Sequence, residues 1–114
     1  MTPLVVAAVL VAGGIGAALR FVLGRAAARA SWPWPVLAVN VAGSLIAGVA
    51  FHTDVALIVV TGFAGGLTTF STLSVETVQL VEQGRGRTAA ASVALNLGLG
   101  LAAATAGWFL GLLL

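Results

Sequence analysis

Apolar residues run through this chain in long blocks rather than in alternation. Charge-free stretches cover residues 1–19, 30–53, 55–75 and 88–114. Each reaches the roughly 18–20 residues that a helix needs to cross the hydrocarbon core of a bilayer. A strand-built barrel needs apolar and polar residues in turn, a pattern this chain lacks. The blocks predict four spans, at about 3–23, 35–51, 55–81 and 88–112. Pro3 suits a first helical turn, and Trp32-Pro33-Trp34-Pro35 reads as an interfacial anchor where the second span begins. His52-Thr53-Asp54 makes a tight turn, and the segment from Glu82 to Arg87 is the one plainly polar loop. The expected fold is all-α: one four-helix transmembrane domain over residues 1–114.

The third span breaks the pattern. From Gly62 to Ser74 it carries three glycines and five hydroxyls where a membrane helix ordinarily carries Leu, Ile and Val. Unpaired backbone groups are expensive in hydrocarbon, so such a stretch persists only where protein or a water-filled path covers it. The third helix is therefore expected to be broken near its middle, at Gly65-Gly66. Its freed carbonyls, its hydroxyls and the ring of Phe70 would then be offered to an ion.

Composition supports the membrane reading. The chain is 61% hydrophobic and 7% charged, too few charges to solvate a soluble surface. Without cysteine it can form neither disulfides nor thiolate metal sites. A pI near 11.4 rests on five arginines against three acids. These flank the spans, so no nucleic-acid partner is expected. The first span lacks a basic leader, and Arg20 follows its apolar run instead of preceding it, so it reads as a retained helix rather than a signal peptide.

With four spans, the link over 20–35 and the loop over 82–87 share one face, which holds all five basic residues: Arg20, Arg25, Arg29, Arg85 and Arg87. The opposite face holds both termini and Asp54. The positive-inside rule places the arginine loops in the cytoplasm and both termini outside a plasma membrane. Small residues recur at helical spacing at Gly13/Ala17, Gly43/Ala47, Gly98/Ala102/Ala106 and Gly100/Ala104. Such faces let helix backbones approach closely in lipid, and four short helices cannot use all of them internally, so an oligomer is expected. The chain shows no convincing internal repeat.

Three stretches carry a resemblance: Gly13 to Phe21 in span one, Val39-Asn40-Val41-Ala42-Gly43 in span two, and the 62–74 run. Together they resemble the signatures of the Fluc (CrcB) fluoride channels over the whole chain. The resemblance implies an antiparallel dimer of four-helix subunits with two fluoride pores and a central sodium ion that is structural and not transported. It implies passive fluoride export, driven by the membrane potential after HF has entered and dissociated. It assigns backbone oxygens of Gly65 and Thr68 to sodium, and Asn40, Phe70, Ser71 and Thr72 to the pore. The chemistry of those residues suits the task. Fluoride is strongly hydrated, so a pore must replace its water with donors, here an amide, hydroxyls and an electropositive ring edge.

The chain also departs from the family. Leu73 stands where a second pore phenylalanine is usual, Pro35-Val36 replaces Gly-Thr, and Gly100 replaces a serine in span four. One of the two pores would lack part of its lining. Each candidate has a plainer role open to it: Asn40 an interhelical hydrogen bond, Phe70 core packing, the glycines close helix approach. Arg20 reads as an interfacial anchor or as part of an anion-attracting vestibule. Glu76 is placed to pair with an arginine, Asn96 reads as a helix–helix hydrogen bond, and His52 and Asp54 have no assigned role. A small multidrug-resistance type transporter needs a membrane-embedded carboxylate for proton coupling, and spans one, two and four carry none. A non-conducting membrane subunit is a further alternative. No nucleophile–base or metal-ligand constellation suggests an enzyme.

An antiparallel homodimer requires a chain that inserts both ways, hence a near-balanced charge bias. Here the bias is five to zero, which favours a homologous partner of opposite orientation. A reporter fused to either terminus is expected on one side of the membrane only. Detection on both sides removes the heterodimer expectation.

Overall fold

Thr2 starts the first helix. Its hydroxyl accepts a hydrogen bond from the Val5 amide at 3.2 Å, and Pro3 takes the first helical position, where a missing N–H costs nothing. The computed structural model describes all 114 residues as α1 (Pro3–Ala26), α2 (Trp34–Ala50), a π-helical segment (Leu57–Ala64), α3 (Gly65–Leu67), α4 (Phe70–Glu82) and α5 (Gly86–Leu113). There is no strand. α1 runs a turn beyond the expected end of span one, and α2, at about 25 Å for its 17 residues, is the shortest crossing. The long dimension of 48 Å matches a bilayer with its headgroup layers, about 40–45 Å.

The α4–α5 connection is a Schellman turn. Gly84 adopts φ +75°, its amide donates to the Val81 carbonyl at 3.0 Å, and the Arg85 amide donates to Leu80 at 2.8 Å. That left-handed conformation favours glycine. Arg85 then reaches across, donating from Nη2 to the Ser31 carbonyl at 2.7 Å. This bond joins the two arginine-bearing connections at one end of the molecule. At the other end the rings of Phe51, His52, Trp108 and Phe109 form a chain of edge-to-face contacts, with His52 and Trp108 centroids 4.9 Å apart. His52, expected to be idle in its turn, ties the α2 terminus to α5.

Two tight helix pairs build the helical body. α2 packs along α5, and α1 packs along the π-helical segment and α3. At the first seam a Cβ on Gly48 would strike the Ala104 carbonyl and lie 2.8 Å from the Trp108 amide, while Gly107 and Gly111 meet the backbone of Leu45 and Val49. Main chain touches main chain, so packing here replaces the hydrophobic drive that lipid cannot supply. Gly107-x-x-x-Gly111 thus joins Gly13 and Gly43, which pack against Gly66 and Thr68, among the small residues that make close contacts, although it is not among the pairs expected from spacing. Of those, Gly98, Ala102 and Ala106 are all exposed and serve no contact within the subunit.

The helix interruption lies later than expected. Gly65 and Gly66 are helical; the chain opens at Thr68 and Thr69, both extended, with ψ of 155° and 123°. The glycine pair has a different task, since a Cβ on Gly66 would collide with the Gly13 carbonyl of α1. Only 17 of 114 residues are buried, so most of the helical surface is left to lipid or to another subunit. Gly48→Val is expected to destabilise the fold by about 1–3 kcal/mol through overpacking against the α5 backbone. Unfolding in detergent, followed by loss of helical signal, measures it.

Candidate functional site

Two extended residues in mid-membrane leave several backbone groups without helical partners, and every one in hydrocarbon has to be accounted for. The key partner is Asn40, in the middle of α2. Its Oδ1 accepts from the Thr69 amide at 2.8 Å, and its Nδ2 donates to the Thr69 carbonyl at 3.2 Å. One side-chain amide thus satisfies both main-chain groups of one residue. The second Nδ2 proton goes to Asn96 Oδ1 on α5 at 2.8 Å, and Asn96 Nδ2 donates to the Ser92 carbonyl at 2.8 Å. Asn96 is therefore the helix–helix hydrogen bond its sequence context suggested.

Thr69 also caps α4. Its Oγ1 accepts from the Thr72 amide at 3.1 Å and lies within 3.1 Å of Thr72 Oγ1 and 3.3 Å of Ser71 Oγ. Three hydroxyls thus cluster at the N-terminus of α4, where the helix dipole is positive. The Phe70 and Ser71 amides, in the first turn, have no intrahelical acceptor. Phe70 projects from the subunit and is 82% exposed, Ser71 is exposed and Thr72 half-buried. Ser74 and Thr77 instead bond back to the carbonyls of Phe70 and Leu73.

On the other side of the opening the polarity reverses. In a continuous helix the Gly65, Gly66, Leu67 and Thr68 carbonyls would accept from residues 69 to 72. The Thr69 and Thr72 amides are diverted to Asn40 and to the Thr69 hydroxyl, and the extended pair carries residues 70 and 71 away. Gly66 is compensated by Arg20, whose Nε donates to its carbonyl at 3.2 Å. The Gly65, Leu67 and Thr68 carbonyls stay free of any such partner, with Gly65 exposed, Thr68 half-buried and Leu67 buried. The Thr68 side chain is otherwise committed: its hydroxyl donates to the Ala64 carbonyl at 2.9 Å and its methyl lies against Gly43. Residues 65–72 therefore offer hard oxygen donors on one side, suited to a cation, and N–H and O–H donors on the other, suited to an anion.

A cavity of about 750 Å³ leads from the arginine-bearing end to this opening. Its lining includes Arg25 and Arg85 near the loops, and Arg20, Thr69, Thr72 and Glu76 deeper in. Glu76 faces the same space as these arginines, yet none hydrogen-bonds to it, and its Oε2 is buried without a partner. Of the residues that depart from the family pattern, Leu73 is buried and Gly100 lies against Ser44, while Pro35 and Val36 line the cavity. The site thus brings Asn40, Gly65, Thr68, Ser71 and Thr72 around one opening, while the Phe70 ring points away from its own subunit. Sequence spacing did not reveal the reach of Arg20 or the capping role of Thr69. A Thr three residues ahead of Thr72 was the one available signal for the cap.

Fold and opening together define a multi-span α-helical membrane protein whose third crossing is parted to expose main-chain polar groups of both signs. Residues 7–108 match the family described as CrcB-like protein, Camphor Resistance (CrcB), and the chain belongs to that family. Among its relatives, Fluoride-specific ion channel FluC 1 of Leifsonia xyli subsp. xyli is 44% identical, over 97% of this chain and 89% of the relative. Fluoride-specific ion channel FluC of Bordetella bronchiseptica is 45% identical over 76% of this chain and 75% of its own length. The channel of the same name from Rhizobium johnstonii is 37% identical over 88% and 91%. These relatives are named as ion channels, and the chain is not an enzyme.

Asn40→Ala would leave the Thr69 amide and carbonyl and Asn96 Oδ1 without partners. Each buried unsatisfied group costs about 1–3 kcal/mol, so a loss of at least about 2 kcal/mol of stability is expected. A double-mutant cycle with Asn96→Ala should show coupling between the two sites. Lost ion flux with unchanged stability would instead make Asn40 a pore donor with no part in holding the opening.

Proposed function

We propose that this chain is a subunit of a fluoride-specific channel that lowers cytoplasmic fluoride by passive export. The observation that carries the reading is the parted third span, whose α4 terminus gathers the Thr69, Ser71 and Thr72 hydroxyls beside two amides without intrahelical acceptors. A small anion crossing the bilayer needs dense, pre-oriented donors to replace its hydration shell without holding it too tightly. The names of the family's curated relatives supply the ion.

In this reading Arg25 and Arg85, in the cavity wall, concentrate anions on the cytoplasmic side. Ser71 and Thr72 take the ion at the start of α4, and Phe70 serves a pore that the subunit shares with its partner. The outward projection of Phe70 supports that arrangement, because a ring 82% exposed on one subunit is available to the next. Asn40 contributes by holding the donors of α4 in place, and it touches fluoride only by exchanging one of its present partners.

Sodium is the second ion in the reading. The Gly65 and Thr68 carbonyls fit a hard monovalent cation: they are oxygen donors, free of hydrogen bonds, at the negative end of a helix. Bound there, at the centre of an antiparallel dimer, sodium would neutralise the carbonyl ends and join the two subunits. It would not be transported. The chain would lie in the plasma membrane with arginine loops inside and both termini outside. The five-to-zero arginine bias favours a homologous second subunit inserted the other way. In such a pair, Leu73, Val36 and Gly100 would leave one pore with the weaker lining.

Proton-coupled export of the small multidrug-resistance type has little support, since the α1, α2 and α5 spans carry no carboxylate. The central test is fluoride efflux from liposomes, with chloride as control, for this chain with and without a homologous partner. Selective fluoride efflux supports the reading, and equal chloride efflux or none in either form overturns it. Phe70→Leu is expected to slow fluoride efflux about tenfold or more, equivalent to about 1.4 kcal/mol at the barrier, while assembly is retained on size exclusion. Unchanged efflux would return Phe70 to a packing role.

A further inference from the structure

We infer that Arg20 is a positioning residue for the cation-facing carbonyls of the parted span, an inference that rests on the sodium reading above. Four carbonyls lose their helical donors at the opening, and Arg20 takes only the one belonging to Gly66. Its Nε–H···O bond of 3.2 Å comes from α1, 46 residues away in sequence. The approach is possible because α1 lies against this backbone with no side chain between. Gly16 sits where a Cβ would strike the Phe63 carbonyl and lie 2.8 Å from the Leu67 amide, and the Gly13 carbonyl fills the space a Gly66 Cβ would need. One turn beyond Gly16, the Arg20 side chain arrives at the carbonyl end of α3.

The bond has two effects. It occupies one lone pair of the Gly66 oxygen, so the carbonyls left wholly free for a cation are those on either side of it, Gly65 and Thr68 among them. It also fixes the orientation of the Gly66 peptide plane, and through it the plane of Gly65. With Asn40 gripping Thr69 on the other side of the opening, the ligand-bearing stretch from Gly65 to Thr68 is pinned at both ends. The guanidinium carries a positive charge near a cation, which opposes binding. Arg20 is only half-buried and lines the cavity that opens toward the arginine end, so water there screens much of that repulsion. Geometry therefore outweighs charge, and losing Arg20 weakens the cation site.

The test uses the assembled full-length protein and two readouts. The first is thermal unfolding in detergent as a function of sodium concentration, with N-methylglucamine holding ionic strength constant; a cation that binds only the folded state raises the melting temperature. The second is fluoride efflux from liposomes over the same sodium range. Arg20→Met is expected to raise the sodium concentration for half-maximal stabilisation at least tenfold, and to shift the efflux dependence in parallel. Most of the efflux is expected to return at saturating sodium. Arg20→Lys, which keeps the charge but lacks the planar Nε donor, is expected to shift sodium dependence in the same direction. An unchanged or lower sodium requirement in Arg20→Met overturns the inference. So does a loss of efflux at all sodium concentrations that Arg20→Lys restores, because that pattern belongs to a vestibule charge. If the unaltered protein is neither stabilised by sodium nor dependent on it for efflux, the sodium reading itself fails.

Discussion

The structure depends on one exchange of hydrogen bonds, between the side-chain amide of Asn40 and the main chain of Thr69. A helix cannot be parted in mid-membrane without orphaning amides and carbonyls, each of which costs several kcal/mol in hydrocarbon. Asn40 meets that cost by offering the same donor–acceptor pair that a peptide group would. Asn96 consumes its remaining proton and anchors it to α5. The opening is thus bound to α2 and α5 at its α4 side and to α1 at its α3 side, which makes it a rigid feature of the four-helix body.

Parting the helix creates two half-dipoles pointing carbonyl end to amide end across Thr68 and Thr69. A continuous helix cancels these fields internally; the opening presents both, a few residues apart, to different surfaces of the subunit. The carbonyl side meets the exposed backbone of Gly65, and the amide side meets Ser71 and Thr72. A single local device can therefore serve ions of opposite sign without a formal charge at its centre. The nearby charges of Arg20 and Glu76 lie in the wall of the cavity that leads to the opening.

Much of this was legible in the sequence. Charge-free blocks mark the spans, because charge is costly in lipid, with Glu76 in the third crossing the exception. The glycine- and hydroxyl-rich run marked the right part of the third crossing. The position of the opening was harder to read. Glycine pairs suggest weak helix, yet Gly65 and Gly66 are there for contact with α1, and a partner on α2 decides where the chain parts. Such a choice is tertiary, and local propensity carries no trace of it. The π-winding of Leu57–Ala64 was equally hidden, since these residues suit an α-helix. The Gly107/Gly111 pair, by contrast, is plain in the chain, and of the spacings read as contact faces only Gly98/Ala102/Ala106 turns outward.

The π-helical stretch ahead of the glycine pair has a consequence for how such chains diverge. Wider winding accommodates about one more residue per turn than α-winding. A one-residue deletion between positions 57 and 64 can therefore be absorbed by rewinding as α-helix, with the glycine pair still delivered to its groove on α1. Natural length variation in this crossing should concentrate there, upstream of the opening at Thr68 and Thr69, whose register it would leave untouched.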